Sequence, residues 1–219
     1  MMMLASSKDH TLFYPIYTDY EDIDGDGAID TVFKPTYKYY GYFDAVKCYA
    51  YSTSDGRFNP DSLAIMEGGR YTCDKSKSLW SGNFLNWGTM TRLDAIRKML
   101  YGGKRSTDGA VGSSGTASVT VLERANLSQD SHSFVKVYFG QDIRDYTPFT
   151  PSDLVRNEGE NAGKYAGLTI CSRSDEQSSR GNPVIRLAKG NQKMWALVQG
   201  RVCSWLDERY QWFDEKAPS

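Results

Sequence analysis

Asp22-Ile23-Asp24-Gly25-Asp26-Gly27-Ala28-Ile29-Asp30 sets three carboxylates at alternate positions, a glycine at the sixth place and an aspartate at the ninth. That spacing suits a hard, oxygen-seeking cation. Calcium takes roughly six to eight oxygen ligands, and a tight loop can aim alternate side chains inward while glycine permits the sharp bend. Without a cation, Asp22, Asp24, Asp26 and Asp30 would repel one another within one short loop. Asp22, Asp24, Asp26, Ala28 and Asp30 are therefore the expected calcium ligands. The twelfth position is Phe33, so the bidentate glutamate of an EF-hand is missing, and no flanking amphipathic helices are visible. A structural calcium loop is expected rather than a sensor, with Asp19, Glu21 or a distant residue completing the shell.

Other chemistry is sparse. Cys48, Cys73, Cys171 and Cys203 allow three pairings, none sits in a CxxC pair, and the only histidines are His10 and His132, so zinc is poorly supported. Cys48–Cys73 with Cys171–Cys203 is the expected pairing, because each bond would close one local excursion. Bridges of this loop length stabilise by about 3 kcal/mol. Four buried thiols in a reducing compartment are the alternative. Neither histidine has a motif partner, and Cys171-Ser172 lacks a nucleophile-elbow context. The carboxylate pairs Asp142/Asp145 and Asp207/Glu208 read as solvated charges, so no enzyme is expected.

The elements that must position the loop come from an aromatic chain. Only 40% of the 219 residues are apolar and 15 are tyrosine, so the core is expected to be built from rings. A formal charge of −1 carries no nucleic-acid footprint. No run approaches the roughly 18 apolar residues of a membrane span. Met1-Met2-Met3-Leu4-Ala5 is too short for a signal-peptide core and has no basic region before it. It reads as a first strand of a chain cut from something longer.

Leu12, Tyr14 and Ile16 alternate as in a strand. Thr31–Tyr51, dense in tyrosine and phenylalanine, predicts one or two strands broken at Pro35 and Gly41. These tyrosines are expected to pack a small sheet, with a glycan- or receptor-binding surface as the other reading. Residues 52–79 read as loop. Thr91-Arg92-Leu93-Asp94 is a capping box, Leu93, Ile96 and Leu100 recur at helical spacing, and Gly102-Gly103 stops the run. Arg92, Arg97 and Lys98 of that helix are expected to face water. Gly109–Ser118 is a Gly/Ser-rich loop. Strands are expected near Val119–Leu122, Phe134–Phe139, Gly167–Cys171 and Val184–Leu187, with Met194–Leu206 ambiguous between strand and helix.

The block Trp80-Ser81-Gly82-Asn83-Phe84-Leu85-Asn86-Trp87-Gly88-Thr89-Met90-Thr91-Arg92-Leu93-Asp94, continuing to Gly103, closely resembles a signature of the amino-terminal region of type IV pilus tip proteins of the PilC/PilY type. Tyr39-Tyr40-Gly41-Tyr42-Phe43-Asp44, Val121-Leu122-Glu123-Arg124, Asp142-Ile143-Arg144-Asp145-Tyr146 and Gly200-Arg201-Val202-Cys203-Ser204-Trp205 agree in order.

The resemblance implies a mixed α/β fold: a partial von Willebrand factor A-like core with large, irregular, aromatic-rich β insertions. Residues 1–5 would be the first core strand, 6–88 an insertion with the calcium loop, 89–103 a helix, and 104–219 further strands and loops. The whole would be an amino-terminal fragment, ending before the carboxy-terminal propeller and its own calcium site. A metal-dependent A domain carries Asp-x-Ser-x-Ser after its first strand. This chain has Ala5-Ser6-Ser7-Lys8-Asp9, so Ser6 and Ser7 do not inherit that metal role.

Functionally, the resemblance implies a secreted, non-enzymatic module at the bacterial cell surface, outer-membrane associated at the pilus tip. It would act in pilus assembly and adhesion, touching minor pilins and a host or surface ligand, braced by calcium and cystines. A calcium-stabilised structural spacer of another secreted protein is the second reading, and a surface hydrolase the third.

Overall fold

Helix α2 (Arg92–Tyr101) begins where its sequence supplies a cap: Thr91 Oγ1 accepts the Asp94 amide, and the Asp94 carboxylate accepts the Thr91 amide. Gly102, at φ 83°, closes the last turn in the left-handed region. This is the expected helix. Its Lys98 departs from expectation, donating to the Gly41 carbonyl and lying 4.6 Å from the Tyr40 ring centroid instead of facing only water. The computed structural model describes residues 9–109, 119–127, 132–157, 161–174 and 183–193, and the backbone of 211–218.

Helix α1 (Gly82–Thr89) precedes α2, and every one of its residues is buried. Gly82 is required by close approach, since a Cβ there would overlap the carbonyl oxygen of Asp44. Two asparagines make α1 a clamp on the preceding loop. Asn83 accepts the Tyr39 amide at 2.8 Å and donates to the Tyr37 carbonyl at 2.8 Å. Asn86 donates to the carbonyls of Tyr39 and Phe43, both at 2.9 Å, and accepts the Phe43 amide at 3.1 Å. The loop's backbone groups are thus satisfied by side chains. Most of Thr31–Tyr51, expected as strands, is consequently irregular, and only β1 (Lys47–Ser52) forms a ladder. Likewise the alternating Leu12–Ile16 segment is no strand. It holds a 3-10 turn at His10–Phe13, then pairs in single bonds with Met90 and Arg92.

Residues 52–79, expected as loop, contain strands β2 (Arg57–Leu63), β3 (Ile65–Glu67) and β4 (Arg70–Thr72). The glycines and the proline that suggested a loop sit at permitted places. Gly68 and Gly69, with φ of 57° and 77°, make the β3–β4 turn. Pro60 lies on the outer strand of the sheet β2–β1–β5, beside a register shift, where a missing donor is tolerated. Strand β5 (Trp80–Ser81) completes that sheet.

Strands β6 (Arg105–Asp108) and β7 (Thr120–Leu122) form a ribbon. Strands β8 (Phe134–Tyr138), β9 (Leu168–Ser174), β10 (Pro183–Lys189) and β11 (Gln211–Pro218) make an antiparallel sheet in the order β11–β10–β9–β8. The first three match expected strands. Every described ladder is antiparallel, so what these residues show is mixed α/β with several small sheets and no A-type core. The expected first strand Met1–Ala5, the 110–118 part of the Gly/Ser loop and the Met194–Leu206 segment lie outside the described residues. No helix among those described is long and apolar enough to cross a membrane.

The core lies where α1 meets β9, and it is aromatic as expected. Phe33, Tyr39, Phe84, Trp87, Tyr138 and Tyr146 are all nearly inaccessible to water. Phe33 is the hub: its ring centroid lies 5.3 Å from Tyr39, 5.0 Å from Phe84 and 5.1 Å from Tyr146, the last two edge-on. Edge-to-face pairs of this kind add about 0.5–1.5 kcal/mol beyond the area they bury.

Candidate metal centre

Phe33 stands where an EF-hand would place its last ligand, and the structure gives it another task. It pins the carboxy-terminal end of the acidic loop to the aromatic core. Upstream, Gly25 and Gly27 take φ of 78° and 87°, conformations cheap only for glycine. They let the chain fold back so that Asp22 Oδ1 accepts the amides of Gly25 at 2.7 Å and Asp26 at 3.1 Å, and Oδ2 that of Gly27 at 2.8 Å. Asp30 pairs with Glu21 as an isolated bridge, and its Oδ2 accepts the Ile23 amide at 2.9 Å.

Carboxylate oxygens of Asp22, Asp24 and Asp30 converge to within 4.8 Å of one another. Asp26 is not in that group. Its Oδ1 accepts the Ala28 amide at 2.8 Å, and Ala28 is exposed on the rim. Asp19, named as a completing ligand, is committed elsewhere: it accepts Trp87 Nε1 at 2.9 Å and pairs with Lys136 at 2.8 Å. Sequence reasoning missed Lys34. Its ammonium stands 2.6 Å from Asp24, 3.0 Å from Asp26 and 2.5 Å from Asp30.

Hydrogen bonds donated to Asp24 and Asp30 raise the Lys34 pKa above its ordinary value. The Ala28 amide and then Lys34 lower that of Asp26. Three hard oxygen donors in one place, already requiring a positive charge among them, fit a calcium ion. A basic residue ten positions after Asp24 is a signal the sequence offered, but nothing in its spacing said that it would fold back.

One further ionic group holds the surroundings. Arg70 Nη2 bonds Asp142 and Tyr146 and reaches Asp145 at 3.1 Å, while Tyr138 donates to Asp142 at 2.6 Å. Asp145 is only 6% exposed and so is no solvated charge; with the partly exposed Asp142 it ties the β3–β4 hairpin to the turn after β8. His10 and His132, neither with a motif partner in the sequence, meet across the fold with Nδ1 and Nε2 2.7 Å apart. Cys48 and Cys73 form the expected disulfide, with Cα atoms 5.9 Å apart. Cys171 is buried in β9, and its expected partner Cys203 lies outside the described residues.

The family model for the PilY1 homolog small alpha/beta domain matches residues 30–188, so it begins at the last aspartate of the acidic loop. A type IV pilus biogenesis factor PilY1 homolog of Xylella fastidiosa (strain Temecula1) is 34% identical over 203 residues, covering 90% of this chain and 12% of that protein. A second protein of the same name and strain is 37% identical over 101 residues, covering 44% of this chain and 8% of its own length. The chain therefore spans only a small part of these relatives. No solved structure matches. With the matched stretch taking in α1, α2 and strands β1 through β10, the chain belongs to the PilY1-homolog family and carries its small α/β domain.

Proposed function

We propose that this chain is a non-enzymatic, secreted module of a cell-surface type IV pilus protein, acting in pilus assembly and adhesion. Similarity across 90% of the chain to a type IV pilus biogenesis factor homolog carries the reading. In the intact protein residues 6–88 would be an aromatic-rich insertion in an A-type domain at the pilus tip, and the module would contact minor pilins. Deleting the parent gene is expected to abolish surface piliation and twitching, with both restored by the full-length gene. Unchanged piliation and twitching in the deletion strain would refute the role.

The acidic loop is proposed as a calcium site in that module. Asp22, Asp24 and Asp30 hold the ion, Asp26 and the Ala28 carbonyl close the rim, and Lys34 is displaced. Calcium would supply there a cross-link between carboxylates that otherwise repel. A Cys171–Cys203 bond is proposed as a second brace beside Cys48–Cys73.

One observation favours a purely structural spacer as the second reading: Tyr39, Tyr49, Tyr138 and Tyr146 turn inward rather than offering a ligand surface. A chain lacking only this module separates the two readings, since a spacer leaves adhesion intact while a binding module does not.

A further inference from the structure

The chain has two histidines, 122 positions apart, and folding brings them together. His10 Nδ1 lies 2.7 Å from His132 Nε2, with ring centroids 4.7 Å apart and ring planes inclined by 50°. The pair is at the surface: His10 is exposed and His132 half-buried.

Both rings are held from behind. Asp9 caps the 3-10 turn His10–Phe13, its Oδ1 accepting the Thr11 amide at 2.8 Å and the Thr11 hydroxyl at 2.9 Å. The same turn buries Phe13 in a cluster with Leu127 and Phe134. The Phe13 ring in turn lies 4.3 Å from that of His132, inclined by 30°. Tyr14 meets the His10 ring edge-on at 5.1 Å. Rings braced in this way have less orientational freedom to lose when they take a ligand.

At 2.7 Å two neutral imidazoles share one proton, one nitrogen donating it and the other accepting. A metal ion can stand in that proton's place, with the ring protons then on His10 Nε2 and His132 Nδ1. The spacing selects the ion. Bonds of about 2.0 Å at right angles set two nitrogens about 2.8 Å apart, whereas tetrahedral angles set them about 3.3 Å apart. The pair therefore needs almost no opening for a square-planar ion, and an opening of about 0.6 Å for tetrahedral zinc. Imidazole suits copper, and copper(II) heads the affinity order of the first-row divalent ions. Calcium prefers oxygen, so this pair is no second copy of the acidic loop. No third histidine, cysteine or carboxylate joins the two rings among the described residues.

We propose that His10 and His132 form a surface copper(II) site, with their two nitrogens on adjacent corners of a square plane and exchangeable water on the others.

The test titrates the full chain with copper(II) chloride and reads the bound ion by pulsed electron paramagnetic resonance, which detects the remote nitrogen of each coordinated imidazole. One ion is expected to bind per chain with two imidazoles, the protein remaining a monomer in sedimentation. His10→Ala and His132→Ala should each weaken binding by about tenfold or more and leave at most one imidazole on the metal. His10 is exposed, so His10→Ala should melt close to the wild type. If His132→Ala fails to fold, His10→Ala decides. Copper held by carboxylates alone or by one imidazole overturns the proposal. So does equal affinity in His10→Ala, or a two-imidazole signal seen only in copper-bridged dimers.

Discussion

Asp19 Oδ1 lies 2.8 Å from Lys136 Nζ and accepts the indole N–H of Trp87 at 2.9 Å. Lys136 is 2% exposed, donates also to the Tyr17 carbonyl, and stands 5.3 Å from the Trp87 ring centroid. Asp19 holds φ of 62°, a left-handed conformation that aspartate and asparagine tolerate better than most residues. One ion pair thus ties the segment before the acidic loop to β8 and to α1. Burial lowers the Lys136 pKa, and Asp19 opposes that shift.

Removing Asp19 should therefore be costly. Asp19→Ala strands a buried ammonium and is expected to destabilise by about 3–5 kcal/mol in urea unfolding. Asp19→Asn keeps the backbone conformation but not the charge, and should fall between. Pairing it with Lys136→Met should recover much of the loss, because no charge is left buried. A single-mutant effect within about 0.5 kcal/mol would show the pair to be incidental.

Calcium should raise the melting temperature of the wild type, and Asp24→Ala with Asp26→Ala should remove that dependence. Lys34→Met takes away the competing ammonium, so calcium affinity is expected to rise several-fold while the calcium-free form melts lower. Identical melting curves for the wild type in calcium and in chelator would dismiss the site.

Alkaline pH should unfold the protein in a defined window. Burial raises the pKa of Tyr17 from 10.0 to about 12, and burial likewise raises Tyr39, Tyr42, Tyr138 and Tyr146. A folded-state pKa above the unfolded one stabilises fully below pH 10 and is lost as pH climbs through 10 toward the folded value. Each such tyrosine contributes a slope of up to about 1.4 kcal/mol per pH unit. Phenolate absorbance should lag in the folded chain and then rise together with unfolding. Free titration of all 15 tyrosines near pH 10 without unfolding would contradict the buried aromatic core.

Serine at both Cys48 and Cys73 should cost about 3 kcal/mol, the magnitude for closing a loop of this size. The sequence separation is 25, and both sulfurs are buried against Leu79. Thiol titration of the folded chain is expected to find no reactive cysteine. A melting temperature indifferent to reductant would argue against the brace.

What the chain displayed in advance was whatever depends on neighbours in sequence. The Thr91/Asp94 cap, the acidic loop with its glycines, and strands β8 to β10 are local patterns, and each is where its residues indicated. Helix α1 escaped notice because Gly82-Asn83-Phe84-Leu85-Asn86-Trp87-Gly88-Thr89 has two glycines and two asparagines, poor helix formers. It is also buried on every side, so no amphipathic period marks it. Strands β2 to β4 were masked by glycine and proline that serve turns and an outer edge. Lys34 in the acidic loop, Asp19 on Lys136 and Arg70 on Asp142 are long-range partnerships, and spacing alone announces none of them.

The Cys48–Cys73 bond shunts the segment holding β2, β3 and β4 out of the path along which the chain would transmit a pulling force. Stretched from its ends, the oxidised molecule should show a contour length shorter than the reduced one by roughly 80 Å, at about 3.4 Å for each sequestered residue.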